Sequence, residues 1–245
     1  MKAAAVRAQT RVETMLTLRR GESLLVTIVI PLGVLVFFTK VDAVNTTLKD
    51  PVDFLVPGVL ALAVMASAMV SLGIATGYER HYGVLKRLGS TPLSRAGLLT
   101  AKTLNVLVLE IIQAFAIIVT GIALGWSASA PRVLLAVALL LVGTIAFAGI
   151  GMLMAGTLRA EANLALANGL FLVLLFLGGM AYPLDRLPDA LEVFAKLLPA
   201  AALSETVRAA LNSGLSFPIE ELVVLVVWAI GAPLLAAPAT TIPPR

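Results

Sequence analysis

Six long apolar stretches, separated by short polar segments, constrain this chain of 245 residues more than any other feature. They cover residues 23–39, 54–77, 98–125, 132–157, 163–181 and 219–237. A helix needs about 20 apolar residues to cross the hydrocarbon core of a bilayer, and backbone in lipid must form helices or a closed barrel. Because the short alternating segments of a barrel are not visible, the sequence predicts an all-α integral membrane protein with six transmembrane helices.

The basic residues predict how these six helices are oriented. An even number of spans places both termini on one side of the membrane. If that side is the cytoplasm, twelve of the 18 lysines and arginines lie inside and six outside, and cytoplasmic loops are the ones that carry such an excess. We therefore expect a protein of the cell (cytoplasmic) membrane with its N-terminus and C-terminus inside.

Two further segments are predicted to lie at the membrane surface. Residues 1–22 combine basic and apolar side chains, which is typical of an amphipathic interfacial helix, although a solvated basic leader fits about as well. Residues 182–217 contain prolines and apolar residues at helical spacing, which favours one or two short re-entrant helices in the outer leaflet. Residues 1–245 are predicted to form a single transmembrane domain.

The loop at residues 79–97 is the most distinctive polar segment. It contains the charged or titratable residues Glu79, Arg80, His81, Lys86 and Arg87, with Leu85 and Leu88 among them. The preference for basic residues in cytoplasmic loops explains the arginines and the lysine. It does not explain Glu79, Leu85 or Leu88. Apolar anchors surrounded by a charged rim are typical of protein interfaces, so this loop is predicted to dock onto another protein.

Several polar residues fall inside the apolar stretches, where a charge is costly and usually faces protein or water. Glu110 is the acid that lies deepest. It either contacts a substrate or proton, or it is a structural carboxyl that is protonated or hydrogen-bonded to Asn105 or Gln113 across one helical turn. Asn163 and Asn168 are also candidates for contact with a substrate or proton. Their alternative role is hydrogen bonding between helices. We take these five residues as candidates for a substrate pathway.

The sequence disfavours most catalytic and cofactor chemistry in this chain. It has no cysteine, and its one histidine, His81, makes a poor metal site without neighbouring ligands. Gly83 and Gly89 lack the spacing and the following lysine of a phosphate-binding loop. No basic surface interleaved with aromatic residues suggests a nucleic-acid partner. We expect neither an enzyme nor a bound metal or cofactor.

Two motifs resemble the ABC-2 type exporter permease family, which includes daunorubicin-resistance permeases and polysaccharide exporters. After the second span the family has Glu-Arg, a glycine, a leucine-rich basic turn and Ser/Thr-Pro-Leu-Ser. The matching residues here are Glu79, Arg80, Gly83, Leu85, Lys86, Arg87, Leu88, Thr91, Pro92, Leu93 and Ser94. Between spans five and six the family has a re-entrant outer element, which corresponds to Gly178, Gly179, Tyr182, Pro183, Leu187, Pro188, Leu198 and Pro199.

The resemblance implies a function for the whole chain. It implies that residues 79–90 are a cytoplasmic coupling helix that sits in a cleft of a separate ABC ATPase subunit, which binds ATP and Mg. It also implies a second permease subunit, identical or homologous, and export from the cytoplasm. The apolar composition suggests a hydrophobic or amphiphilic cargo, such as a drug, a lipid or a lipid-linked molecule. The alternative is an ATP-independent secondary carrier or channel that uses Glu110.

Overall fold

The computed structural model describes residues 2–19, 21–41, 50–84, 95–127, 132–212 and 214–239. Every regular element within these residues is a helix. The α-helices are α1 (Lys2–Arg19), α2 (Gly21–Val41), α3 (Pro51–His81), α4 (Arg95–Ala123), α5 (Val133–Thr157), α6 (Ala160–Leu177), α7 (Asp189–Lys196), α8 (Pro199–Leu211) and α9 (Ile219–Ala239). A 3₁₀ turn, Leu184–Arg186, precedes α7.

Five of these helices are long and apolar enough to cross a membrane. Their apolar segments are Pro51–His81, Thr100–Ala123, Val133–Thr157, Ala160–Leu177 and Ile219–Ala237, and they match predicted spans two to six. The predicted first span coincides with α2, in which the apolar segment Thr27–Val41 is shorter than the other five. The chain is thus an α-helical membrane protein.

Helix α3 is the centre of the bundle. In its most apolar window 83% of the residues are buried, whereas the other four spans have between 17% and 39% buried. Its 31 residues correspond to about 46 Å at 1.5 Å per residue. Residues Ala66–Ser71 near its middle form a π-helical turn, a local widening that is often found at functional sites.

Glycines allow α3 to approach its neighbours closely. A Cβ placed on Gly73 would lie 3.1 Å from the Gly151 backbone of α5, and one on Gly77 would lie 2.5 Å from Nδ2 of Asn163 on α6. The GxxxG spacing of Gly73 and Gly77 predicts such packing, because small residues let helix backbones come together. The α3–α5–α6 contact therefore depends on these glycines.

The segment between α6 and α9 differs in detail from its prediction. The fifth span ends at Leu177 and not at residue 181, since the chain turns at Gly178 and Gly179, and Gly179 has φ +62°. Two α-helices and the 3₁₀ turn follow where one or two helices were expected. Helix α8 is buried along almost its whole length, because it packs against α3, α5 and α9.

Contacts divide the bundle into two opposite ends. At one end, the last turn of α3 contacts the start of α4 and the end of α5, and the start of α4 also contacts α1. At the other end, the first turn of α3 meets α8 through Arg208 and Asn212, which bond to Phe54 O and Asp53 O. We call these the α1 end and the α8 end.

Candidate functional site

A cavity of about 810 Å³ lies between α1, α2, α3, α4 and α6. Its volume falls in the range of about 300–1,000 Å³ that is typical of small-molecule sites. Apolar residues such as Ile30, Val70, Ile74 and Phe171 line much of it, and residues of the π-helical turn form part of its wall. Its charged residues gather at the α1 end, so the cavity has a polar end and an apolar remainder.

Lys102 organises the polar end. Its Nζ atom lies 2.6 Å from Glu79 Oε2 and 3.3 Å from Glu13 Oε1, and only 4% of its side chain is exposed. Glu13 belongs to α1, Glu79 to the last turn of α3 and Lys102 to the start of α4. A buried ammonium requires such partners, because an unpaired charge is costly to remove from water. The three charges therefore tie three helices together.

Asn105 lies one turn further along α4 and also lines the cavity. Its Nδ2 atom donates a hydrogen bond to Thr17 Oγ1 at 3.3 Å. Its Oδ1 atom is buried and has no hydrogen-bond partner among the described residues. A buried acceptor without a donor carries a desolvation cost that a ligand with a donor group would relieve.

The predicted docking loop is described only in part. Arg80 donates hydrogen bonds to Ala155 O, at 3.0 Å, and to Gly156 O at the end of α5. His81 is exposed, and Gly83 has φ +71° just after α3 ends. The remaining predicted residues lie outside the described ones: Leu85, Lys86, Arg87, Leu88, Thr91 and Pro92. Glu79 and Arg80 thus have intramolecular partners, and this inward pairing was not predicted from the sequence.

A second polar group lies within the spans. Ser67, in the π-helical turn, donates to Gln113 Oε1 at 2.7 Å, and Gln113 Nε2 donates to Thr27 O at 3.0 Å. This chain of hydrogen bonds links α3, α4 and α2. The sequence prediction did not include Ser67 or Thr27, because their partners are far away in the chain.

Glu110 has a different partner from the ones expected. Thr144 Oγ1 of α5 donates to Glu110 Oε2 at 2.8 Å, so the predicted bond to Asn105 or Gln113 is wrong. The other carboxylate oxygen, Oε1, is buried and lacks a hydrogen-bond partner among the described residues. Thr144 was available because it lies on a neighbouring helix, whereas the prediction considered only residues one turn away on α4.

The predicted pathway residues fall into two groups. Asn105 and Asn168 line the cavity, whereas Glu110, Gln113 and Asn163 are not among its lining residues. Asn168 is exposed, and its Nδ2 atom donates to Leu164 O at 2.8 Å. Asn163 is fully buried and donates to Gly73 O at 2.8 Å, the helix–helix hydrogen bond considered as the alternative.

The segment between α6 and α9 contains a second, smaller cavity of about 250 Å³ at the α8 end. Pro183 lines it, Pro199 is buried at the start of α8, Leu187 is half-buried, and Tyr182 and Pro188 are exposed. Its charged lining residues are Asp185, Glu192, Lys196, Glu205, Arg208 and Glu221.

Arg208 fixes this segment to the bundle. It donates to Gly179 O at 2.6 Å and to Phe54 O at 3.4 Å, pairs with Glu205, and lies 3.7 Å from the centre of the Phe54 ring. Ser204 also donates to Gly178 O. The turn after α6 is thereby held against α8 and α3.

Sequence reasoning missed Glu13 and Lys102 as site residues. The available signal was the position of Lys102, just inside the start of an apolar span, where a cation needs a partner. Its partners are 23 and 89 positions away (102 − 79 and 102 − 13), so only the packing of α1 and α3 identifies them.

The helical bundle and its five apolar spans define a polytopic α-helical membrane protein. The family model described as ABC-2 type transporter matches residues 4–212, and the chain therefore belongs to the ABC-2 type transporter family. It is also 27% identical over 194 residues to YvfS of Bacillus subtilis (strain 168), a protein named as a transport permease. That match covers 75% of this chain and 76% of the relative. The chain is thus a transport subunit, as its two motifs predicted.

Proposed function

We propose that this chain is the membrane subunit of an ATP-driven exporter, powered by a separate cytoplasmic ABC ATPase subunit that binds ATP and Mg. The α1 end faces the cytoplasm, and the loop at residues 79–97 docks onto the ATPase. The observation that carries the proposal is the contact of Lys102 with Glu79 and Glu13. This contact joins α1 to the two helices that flank the loop.

The ion pairs suggest how a push on the loop would reach the bundle. Glu79 is in the last turn of α3, before the loop, and Lys102 is near the start of α4, after it. Because a buried ion pair holds these positions together, a displaced loop would carry both helices with it. Helix α3 is the central helix, so its displacement would affect most of the bundle. ATP binding would then shift the population between inward-open and outward-open arrangements.

The large cavity supports the proposed class of cargo. Its apolar walls and charged α1 end suit a hydrophobic or amphiphilic molecule, such as a drug, a lipid or a lipid-linked molecule. The lining residues Ile30 of α2 and Leu164 and Asn168 of α6 are exposed. These exposed residues leave the cavity accessible on the side formed by α2 and α6. A second permease subunit or membrane lipids would complete the cavity there.

Glu110 motivates a second candidate function, an ATP-independent secondary carrier or channel. Its buried Oε1 atom lacks a hydrogen-bond partner among the described residues, as a proton- or ion-binding group would before loading. A carrier generally needs a relay of such groups. Among the described residues the Glu110 carboxylate has one hydrogen bond, from Thr144, and this single contact does not form a relay.

Transport in liposomes distinguishes the two candidates. The complex would be purified from native membranes with this chain as bait, reconstituted, and tested for movement of a labelled amphiphile with ATP or with an ion gradient. We expect ATP to be required and Glu110→Gln to retain ATP-dependent export. Gradient-driven transport without ATP that Glu110→Gln abolishes would support the carrier instead.

A further inference from the structure

The polar end of the large cavity has more carboxylates than ammonium groups among the described residues that line it. Its charged lining residues are Glu13, Glu79 and Lys102, so two carboxylates and one ammonium give a formal charge of 1 − 2 = −1 for the described lining. Lys102 is 2.6 Å from Glu79 but 3.3 Å from Glu13. Glu13 therefore has the longer ammonium contact, and the same oxygen, Oε1, also accepts a hydrogen bond from Gln9 Nε2 at 2.9 Å. The Oε2 atom of Glu13 is the carboxylate oxygen considered for a ligand.

A second acceptor lies near Glu13. Thr17 is one helical turn after Glu13 on α1, and its Oγ1 atom accepts from Asn105 Nδ2. The amide of Asn105 thus faces the same part of α1, while its buried Oδ1 atom has no hydrogen-bond partner among the described residues. A ligand that fits here needs donors, and a positive charge is favoured beside Glu13.

Apolar residues extend from this polar end into the membrane. Val70 precedes Glu79 by nine residues and Leu109 follows Lys102 by seven, and both line the cavity. These separations correspond to about 14 Å and about 10 Å along a helix. Ile30 and Phe171 line the same cavity from α2 and α6. The dimensions suit an alkyl or aromatic tail attached to a head group at Glu13.

We propose that this cavity binds amphiphiles with a protonated amine head group, which contacts the Glu13 carboxylate and the Asn105 side-chain carbonyl. The tail lies between α2, α3, α4 and α6. This inference rests on the proposed transport function and specifies its cargo. An anionic head group is disfavoured, since it would meet two carboxylates and an ammonium that already contacts both.

Binding to the full chain in phosphatidylcholine nanodiscs tests the inference. The probes are radiolabelled dodecylamine, dodecanoate and dodecanol at neutral pH, with uptake by empty nanodiscs subtracted. Because a hydrogen bond to a charged group changes affinity by about tenfold or more, we expect dodecylamine to bind at least about tenfold more tightly than dodecanoate. Equal or tighter binding of dodecanoate would overturn the proposal.

Variants locate the site. Glu13→Gln should weaken dodecylamine binding about tenfold without weakening dodecanoate binding, and Asn105→Leu should also weaken dodecylamine binding. Glu161→Gln, an exposed acid outside the cavity lining, is the matched control and should change nothing. If the Glu13→Gln variant folds and binds dodecylamine as tightly as the unmodified chain, the inference is contradicted. If that variant does not fold, the amine–carboxylate comparison on the unmodified chain decides.

The same experiment separates this inference from the proposed function. Nanodisc binding needs neither ATP nor a partner subunit. If an ATPase powers export but the chain does not prefer the amine, the cargo inference fails and the transport proposal stands. If the amine is preferred but no ATPase associates with the chain, the ATP-driven transport proposal fails and the amine-binding inference stands.

Discussion

Lys102 Nζ lies 2.6 Å from Glu79 Oε2, and this contact joins the two helices on either side of the predicted docking loop. Glu13 adds α1 to the same cluster. The side chains of the two acids are only 14% and 22% exposed, and that of Lys102 is 4% exposed. Water therefore screens these contacts much less than it screens a surface ion pair.

The first prediction concerns the stability that this cluster provides. Lys102→Met should lower the free energy of unfolding by about 2–4 kcal/mol, because it leaves two mostly buried carboxylates without their cation. Lys196→Met is the matched control, since Lys196 pairs with Glu192 and 48% of its side chain is exposed. It should cost no more than about 1 kcal/mol. Thermal unfolding in nanodiscs measures both, and equal losses would contradict the structural role of Lys102.

The second prediction concerns the contact between α3 and the turn after α6. A Cβ on Gly58 would lie 2.1 Å from Met180 O, whereas one on Gly169 would meet nothing within 4 Å. Gly58→Ala should therefore destabilise the fold by about 1–3 kcal/mol. Gly169→Ala should change stability by no more than about 1 kcal/mol. Similar unfolding midpoints for the two variants would mean that this close approach is absent in the protein.

The third prediction concerns Arg208, whose guanidinium contacts Gly179 O, Phe54 O, Glu205 and the Phe54 ring. A lysine ammonium is compact and cannot bond to all of these groups at once. Arg208→Lys should destabilise the segment between α6 and α9 by about 1–3 kcal/mol, seen as faster hydrogen exchange in residues 178–212. Arg186→Lys, at an exposed position, should leave exchange unaltered. No change for Arg208→Lys would show that the guanidinium does not hold this segment.

The fourth prediction concerns pH. The hydrogen bond from Lys196 to Glu192 raises the pKa of Lys196 above its ordinary value of 10.5, and Glu221 and Glu220 add to the effect. A raised pKa means that this pair stabilises the fold fully below the ordinary lysine pKa of 10.5, and that its contribution is lost as pH rises through the folded pKa. The contribution is small, because the lysine is about half exposed.

An NMR titration of ¹³C-methylated lysines tests this directly. The Lys196 midpoint should lie above that of lysine in a peptide, and Glu192→Gln should lower the pKa of Lys196 towards that value. If Glu192→Gln leaves the titration midpoint of Lys196 unchanged, the hydrogen bond to Glu192 is not the cause of its raised pKa.

The apolar stretches predicted the spans well, yet they could not identify the central helix. Helices α3 and α5 are both strongly apolar, although 83% of the α3 window and only 39% of the α5 window are buried. Lipid and protein interior are similarly apolar, so hydrophobicity does not distinguish them. The small residues of α3, such as Gly58 and Gly73, were the available signal, since small residues favour helix–helix contact.

The site was harder to predict, because its contacts join residues that are distant in sequence. The motif identified Glu79 and Arg80, but their partners, Lys102 and the end of α5, depend on how the helices pack. Glu110 was recognised as unusual, whereas its partner Thr144 lies on another helix. A pattern on one helix indicates that a buried polar group needs a partner, but not which helix supplies it.

Co-purification tests whether a separate ATPase binds the loop at residues 79–97. The tagged chain is isolated from native membranes with and without ATP, and its partners are identified by mass spectrometry. The matched variant carries Leu85→Asp and Leu88→Asp, two loop positions that lie outside the described residues. We expect an ABC ATPase to accompany the unmodified chain and to be lost from the variant, whose unfolding midpoint stays the same. Equal recovery of the ATPase with both proteins, or no ATPase with either, would contradict it.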